Sequence, residues 1–247
     1  MICDVISTGS GGNAVRIGPG GRLLVDCGVS YKRIEPFKDD LELVLLTHRH
    51  SDHFKESTVR RIAQDRPAVR WAMGEHMLPL VDGVLPPRCI DVLRPDIWVR
   101  YKTMCGCVVI CPVSLQHDVP NFGYHIIFQG ECDWQYRVFY ATDTGTLDGI
   151  AAKGYDLYLI EANHTEEDLR AREAEKLAAG VFSYEARAAL THLSQERAAA
   201  WLAKNAGKNS RVVWLHQHTE REGQHNDPVD SGLQQSSPAS ENIQAGG

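Results

Sequence analysis

Short apolar runs, separated by polar or glycine-rich turns, dominate the first two-thirds of the chain. Such runs, rich in Val, Ile, Leu and aromatic residues, are typical of β-strands. We therefore predict strands at residues 1–7, 13–17, 22–26, 43–47, 69–72, 89–92, 107–113, 124–128, 137–141 and 157–161. The run at 43–47 is continuously apolar, which predicts a strand that is buried on both faces.

Helical spacing of apolar residues becomes common toward the end of the chain. We predict one early helix and three late ones, followed by a last strand, at residues 55–64, 166–179, 184–190, 195–205 and 211–215. Strands first, with helices between and after them, predict a mixed α/β sandwich. Residues 223–247 contain almost no apolar side chains, so we expect a disordered tail after a folded domain of residues 1–222.

Composition indicates where in the cell the protein resides, but it does not identify the substrate. The 247 residues carry a formal net charge of -6, which does not by itself indicate a nucleic-acid-binding surface. The chain has no apolar run of about 20 residues and no signal-like start, so we expect a cytoplasmic protein without a membrane segment. The odd number of cysteines, seven, then predicts reduced thiols rather than disulfides.

The strongest chemical signal is the sequence Thr-His-Arg-His-Ser-Asp-His-Phe at residues 47–54, directly after a predicted strand. Imidazole and carboxylate groups are common ligands of divalent cations in proteins. Alternate positions of an extended chain face the same side, so His48 and His50 can bind one ion. Asp52 and His53 follow at a turn and point toward a second ion.

This HxHxDH motif resembles the first metal motif of the metallo-β-lactamase superfamily. The resemblance implies an α/β fold, the four-layer αββα metallo-β-lactamase sandwich, with two divalent metal ions, Zn or Mn, at one edge. It also implies later ligands: His117 after the strand at 107–113, and Asp143, in the sequence Ala-Thr-Asp-Thr-Gly, as a bridge between the ions. The last ligand would be His216 after the final strand, with His218 as the alternative.

Further motifs narrow the resemblance to the YycJ-like (WalJ-like) branch, which is related to tRNase Z and to the β-CASP nucleases. These motifs are Ser-Thr-Gly-Ser-Gly-Gly-Asn, Val-Asp-Cys-Gly, Glu-Ala-Asn-His and Thr-His-Leu-Ser. In the tRNase Z relatives, a Glu and a His at matching places act together near the scissile phosphate. The match implies that Glu161 orients His192, and that His192 donates a proton to the leaving group.

Four other polar residues lie close in sequence to these motifs and are candidates for supporting or substrate-binding roles: Asp26, Asn13, His164 and His218. Asp26 either accepts a hydrogen bond from a ligand histidine, and so fixes its tautomer, or it is a turn residue. Asn13 either turns its amide toward the site or belongs to an ordinary glycine-rich hairpin.

These features favour a metal-dependent phosphodiesterase or nuclease, exonuclease-like, that acts on DNA or RNA through a metal-bridged hydroxide. Asp52, His192 and Glu161 would be its catalytic residues, and nucleic acid its partner. An alternative is a hydrolase of small esters, lactones or cyclic phosphodiesters, because one fold hosts many activities. A metal-stabilised binding module without activity is the third possibility. The oligomeric state stays open.

Overall fold

A computed structural model describes residues 1–181 and 185–216, so the predicted tail and His218 lie outside the described part. The first half of the chain forms a six-stranded sheet in which the strands lie in chain order. Its strands are β1 (Ile2–Ser7), β2 (Ala14–Gly18), β3 (Leu23–Val25), β4 (Leu43–Leu46), β5 (Arg70–Gly74) and β6 (Ile90–Leu93). Strands β3 to β6 are parallel, and β1 and β2 are antiparallel to their neighbours.

The second sheet also has six strands, and these too lie in chain order. They are β7 (Val99–Thr103), β8 (Gly106–Leu115), β9 (Asn121–Gln129), β10 (Gln135–Ala141), β11 (Leu157–Glu161) and β12 (Arg211–Leu215). Strands β10 to β12 are parallel, whereas β7 to β10 pair antiparallel. Each sheet therefore contains a parallel segment whose strands all end at one edge.

Helices cover the outer faces of both sheets. The α-helices are α1 (Tyr31–Ile34), α2 (Glu56–Asp65), α3 (Leu78–Val81), α4 (Glu166–Ala178), α5 (Glu185–Thr191) and α6 (Gln195–Asn205). Side chains of α1 and α2 pack on the first sheet, and those of α6 pack on the second. This arrangement confirms the predicted four-layer αββα sandwich. Within the described chain, no helix has both the length and the apolar character that a membrane crossing requires.

Strand β4 illustrates how the sequence builds these layers. All four of its residues are buried. Leu43 and Leu45 point into the core between the sheets, while Val44 and Leu46 pack against the outer helices. Because neighbouring strand residues face opposite sides, only a continuously apolar run can fill both layers. The prediction of a doubly buried strand is confirmed.

Strand β7 is absent from the sequence-based prediction. Its residues alternate between half-buried and exposed positions, in the order Val-Arg-Tyr-Lys-Thr. This alternation is typical of an edge strand with one solvated face, and β7 is indeed the last strand of its sheet. The alternation of apolar and polar residues is the sequence feature that indicates this strand. The segment is too polar to be recognised as an apolar run.

Candidate metal centre

The carboxyl ends of strands from both sheets meet at one edge of the sandwich, and the polar residues that follow them come together there. Asp26 follows β3, Thr47 and His48 follow β4, and His216 follows β12. Ends of parallel strands lie at the same edge of a sheet, which explains why residues far apart in the chain converge.

Three imidazoles form a first cluster. Nε2 of His48 lies 3.2 Å from Nδ1 of His50, and Nε2 of His117 lies 3.3 Å from the same atom. The three nitrogens lie within 4.8 Å of one another. Burial lowers the pKa of both His48 and His117, so these rings are neutral and present lone pairs. Such a group has the composition of a divalent metal site.

A second cluster surrounds Asp143. Its Oδ2 lies 2.8 Å from Nε2 of His53, and its Oδ1 lies 3.4 Å from Nδ1 of His216. Potential ligand atoms of Asp143, Glu161, His192 and His216 lie within 4.8 Å of one another, as do those of His48, His53 and Asp143. Asp143 therefore belongs to a group that contains His48 as well as to the group that contains His216.

Asp52 lies at the margin of this second cluster. Its Oδ2 is 3.5 Å from Nε2 of His53 and 3.9 Å from Nε2 of His216. The distances are longer than those around Asp143, and the side chain is about one-fifth exposed, at 22%. Asp52 thus faces the open side of the site.

Asp26 contacts the side of the His53 ring that faces away from Asp143. Its Oδ2 lies 2.7 Å from Nδ1 of His53, and its Oδ1 accepts the backbone N–H of Thr47 at 2.9 Å. The Thr47 hydroxyl lies 2.9 Å from Oδ2 of the same carboxylate. A carboxylate that accepts Nδ1–H fixes the histidine tautomer and leaves Nε2 as a lone-pair donor. The contact to His53 corresponds to the first of the two roles considered for Asp26.

Glu161 contacts two imidazoles and not one. Its Oε1 lies 2.6 Å from Nδ1 of His192 and 2.9 Å from Nδ1 of His216. Its Oε2 accepts the backbone N–H groups of Thr144 at 3.1 Å and Leu193 at 3.2 Å. This fully buried carboxylate therefore orients both rings. The sequence predicted its partnership with His192, and the contact with His216 is new.

The charges and hydrogen bonds of the second cluster fit a bound cation. Burial opposes protonation of His216, yet Asp143 and Glu161 raise its pKa to about 9. Oδ2 of Asp143 is buried and has no hydrogen-bond partner among described residues, although Nε2 of His53 is 2.8 Å away. When His53 donates Nδ1–H to Asp26, its Nε2 is an acceptor that lies 2.8 Å from this oxygen and also 2.8 Å from Nδ2 of Asn13. Two acceptors that face each other require a proton or a cation between them. Together with the fold and the two clusters, this arrangement suggests divalent metal binding.

Asn13 and His164 lie in different surroundings. The amide Nδ2 of Asn13 lies 3.2 Å from Oδ2 of Asp52, and its Oδ1 accepts the N–H of Gly9 at 2.9 Å. Asn13 therefore contacts the loop that carries the predicted ligands. His164 belongs to neither cluster; its Nδ1 lies 3.3 Å from Oδ1 of Asn163, and it lines a neighbouring cavity with His192.

Asp118 and Arg187 are site residues that the sequence reasoning missed. Oδ1 of Asp118 lies 3.1 Å from Nε2 of His117, and its Oδ2 forms an ion pair with Arg187 on α5. Both residues line the cavity that also contains Asp52 and Asp143. Asp118 had a signal, since it directly follows His117. Arg187 had none, because 69 residues separate it from its partner.

Three residues of the site have left-handed backbone conformations. The φ angles are +63° at Asp26, +56° at Asp143 and +49° at His216. Residues with a Cβ rarely adopt these angles, and such strain is concentrated at functional sites. Each of these residues follows closely on a strand, so the left-handed turn directs its side chain into the site.

Gly28 provides a test of what positions residues 47–54, which we call the metal loop. A Cβ atom at this position would overlap the backbone carbonyl oxygen of Asp52. We expect Gly28→Ala to displace the loop, to lower the free energy of unfolding by about 1–3 kcal/mol and to reduce the metal content. Urea unfolding and elemental analysis measure these effects. The control is Gly11→Ala, because a Cβ there meets no atom within 4 Å. Equal stability of the two variants would contradict the expectation.

Curated relatives carry nuclease names. The chain is 28% identical over 229 residues to the Exodeoxyribonuclease WalJ of Streptococcus pneumoniae serotype 2 (strain D39 / NCTC 7466), which covers 86% of this chain and 79% of that protein. It is also 28% identical over 183 residues to the Exodeoxyribonuclease YycJ of Bacillus anthracis, with 68% of this chain and 64% of that protein covered. These similarities confirm the resemblance inferred from the motifs.

Solved structures and a family model agree on the fold. The metallo-beta-lactamase fold protein YhfI from Bacillus subtilis superposes with a TM-score of 0.63 at 16% identity, covering 87% of this chain and 85% of that one. A long form RNase Z from yeast gives 0.55 at 12% identity, covering 86% and 34%. The model of the Beta-lactamase superfamily domain matches residues 21–217. Because this match spans most of the chain, the protein belongs to the β-lactamase superfamily.

Proposed function

We propose that this protein is a metal-dependent nuclease that hydrolyses phosphodiester bonds of nucleic acid. The observation that carries the proposal is the Glu161–His192 pair, 2.6 Å apart, beside Asp143 and the histidine clusters. Carboxylates also orient metal-ligating histidines, but in the proposed ligand set His192 binds neither ion, so its oriented ring is left for the substrate. The names of the relatives support DNA as the substrate and an exonuclease mode of cleavage.

The donor set suits two divalent cations, Zn²⁺ or Mn²⁺. His48, His50 and His117 would hold the first, and Asp52, His53 and His216 the second, with Asp143 shared between them. When bound, such cations act as Lewis acids toward a phosphoryl oxygen and make a nucleophile available at neutral pH. Asp26 keeps Nε2 of His53 turned toward this site, and Asn13 contacts the Asp52 carboxylate.

His192 is positioned to deliver a proton to the leaving oxygen. Burial opposes its charged form, but the hydrogen bond and charge of Glu161, with the charge of Asp143, raise the pKa of His192 above its usual value. This shift favours the protonated ring, which is the form that a general acid needs. Because Nδ1 is bound to Glu161, the Nε2–H is the group that can reach a departing alkoxide. In this scheme Glu161 is a positioning residue.

The state of the cysteines supports a cytoplasmic location as part of the proposal. All seven cysteines are free thiols. Proteins of the cytoplasm keep their thiols reduced, whereas exported proteins commonly use disulfides.

The proposal is tested with metal-stripped protein that is re-supplied separately with Zn²⁺ or Mn²⁺. The substrates are end-labelled single-stranded and duplex DNA and RNA, and Asp52→Ala is the inactive control. We expect cleavage only with added metal, and none by Asp52→Ala, because this carboxylate faces the open side of the second cluster. The product ladder separates end-directed from internal cleavage.

Two outcomes would overturn the nuclease proposal. Turnover of small esters without cleavage of any polynucleotide would favour a small-molecule hydrolase of the same fold. Stoichiometric metal binding without turnover of either substrate class would favour a metal-stabilised binding module.

A further inference from the structure

The cavity over the predicted metal site is rich in acidic groups. Carboxylates of Asp52, Asp118 and Asp143 line it. A nucleic-acid strand carries one negative charge per nucleotide, and the metal ions act on one phosphate only. The neighbouring phosphates therefore need a separate source of positive charge. Among the described residues that line this cavity, Arg187 carries the only permanent positive charge.

Arg187 lies next to the predicted ligands without contacting them. Its guanidinium forms an ion pair with Oδ2 of Asp118, and Oδ1 of that carboxylate lies 3.1 Å from Nε2 of His117 and 3.4 Å from Nε2 of His50. The guanidinium thus sits one carboxylate beyond the first imidazole cluster. A phosphate bound at the first imidazole cluster would therefore have this guanidinium beside it.

The guanidinium is available to a ligand. The Arg187 side chain is 66% exposed, and its ion pair with Asp118 is its one polar contact to a described side chain. An arginine has five N–H donors in a planar fork that matches a phosphate. Asp118 binds Nη2 of this fork, and none of its other donors contacts a described side chain.

Other arginines that are close in sequence to the metal loop are less suitable. Arg60, Arg61, Arg66 and Arg70 suggest a basic surface in the sequence, but each forms an ion pair with a carboxylate away from this cavity. None of the four lines the cavity over the clusters. They therefore provide matched controls.

We propose that Arg187 binds the phosphodiester adjacent to the scissile one, and that Asp118 holds the guanidinium ready for it. The inference rests on the proposed nuclease function and deepens it, since it names a substrate with at least two consecutive phosphates. Arg187 would then favour polynucleotides over isolated phosphodiesters.

The test compares two substrates. One is an end-labelled single-stranded oligodeoxynucleotide, and the other is bis(p-nitrophenyl) phosphate, which has one phosphodiester and no neighbouring phosphate. We expect Arg187→Gln to lower kcat/KM for the oligodeoxynucleotide by about 10- to 100-fold, the range for loss of a charged hydrogen bond. Turnover of bis(p-nitrophenyl) phosphate should change by less than about threefold. Arg60→Gln, which removes an exposed ion-paired arginine elsewhere, should match the wild type on both substrates.

Salt dependence separates a phosphate contact from a structural effect. Loss of one contact should reduce the slope of log affinity for the oligodeoxynucleotide against log salt by about 0.7. Binding is measured by fluorescence anisotropy with the metal-loaded protein. Arg187→Lys keeps the charge but not the fork, so it should retain the slope and recover part of the rate.

Each contrary result has a distinct meaning. Equal losses on both substrates, or a slope unchanged in Arg187→Gln, would overturn the assignment of Arg187. An Arg187→Gln variant that cleaves the oligodeoxynucleotide like the wild type would overturn it and leave the nuclease proposal intact. A wild type that hydrolyses bis(p-nitrophenyl) phosphate but neither binds nor cleaves the oligodeoxynucleotide would overturn both.

Discussion

Replacement of Asp143 by asparagine should lower kcat/KM for an oligodeoxynucleotide by roughly a thousandfold or more, because a metal centre supplies several kcal/mol of transition-state stabilisation. The carboxylate of Asp143 lies between two of the histidines of the site. Its Oδ2 is 2.8 Å from Nε2 of His53, and its Oδ1 is 3.4 Å from Nδ1 of His216. Asparagine keeps the shape but removes the charge that balances a cation. The measurements are steady-state kinetics and elemental analysis of the purified variant.

The metal content decides how the loss in Asp143→Asn is interpreted. We expect fewer bound ions per chain together with a lower rate. Asp148→Asn is the matched control, because Asp148 is an exposed carboxylate on the turn that follows the same strand. An Asp143→Asn variant with normal metal content and normal rate would show that this carboxylate is not a ligand.

Replacement of His192 by alanine should lower the rate of oligodeoxynucleotide cleavage by about 10²–10⁴-fold, the usual contribution of a general acid. The same variant should lose less than about tenfold with bis(p-nitrophenyl) phosphate. Its leaving group, p-nitrophenolate, departs without a proton, so it does not need the Nε2–H of His192. Single-turnover kinetics with both substrates measure this difference. Comparable losses on both would exclude the proton-donor role.

Glu161→Gln gives an independent control through the pH profile of kcat/KM. Glu161 raises the pKa of His192, despite the opposing effect of burial. A general acid acts in its protonated form, so activity falls as the pH rises through this pKa. Loss of the Glu161 charge lowers the pKa, and the falling limb should therefore move to lower pH. A limb that stays in place would indicate that another group donates the proton.

The sequence predicted candidate site residues best where several of them lie close together in the chain, directly after a strand. The run of residues 47–54 contains its histidines and carboxylate within one loop, and β4 before it is apolar enough to identify. Asp143 and His216 follow similar apolar strands, and the resemblance to the superfamily implied that they lie near this loop, with His218 as the alternative to His216. The pattern of strands and helices predicted a mixed α/β sandwich, and the resemblance added the four-layer αββα order.

Contacts between distant segments could not be predicted in this way. Glu161 and His216 are 55 residues apart, and their 2.9 Å contact depends on the parallel pairing of β11 with β12. Asp118 and Arg187 meet because the loop after β8 lies against α5, where Nδ1 of His117 is 3.0 Å from the carbonyl oxygen of Thr191. Neither residue has a local sequence pattern that identifies its partner. Periodicity records which face of an element is buried, but not which charged groups meet across elements.

The left-handed residues Asp26, Asp143 and His216 have a consequence for protein engineering. A side chain with a Cβ in this conformation carries a penalty of about 1–2 kcal/mol, so glycine is the residue that backbone energetics alone would select there. A thermostabilising redesign that considered only the backbone conformational energy would replace all three residues by glycine. Such a replacement would remove the Asp26 carboxylate that accepts the N–H of Thr47 and contacts His53, together with two of the proposed metal ligands, Asp143 and His216. These positions should therefore be held fixed while the rest of the scaffold is optimised.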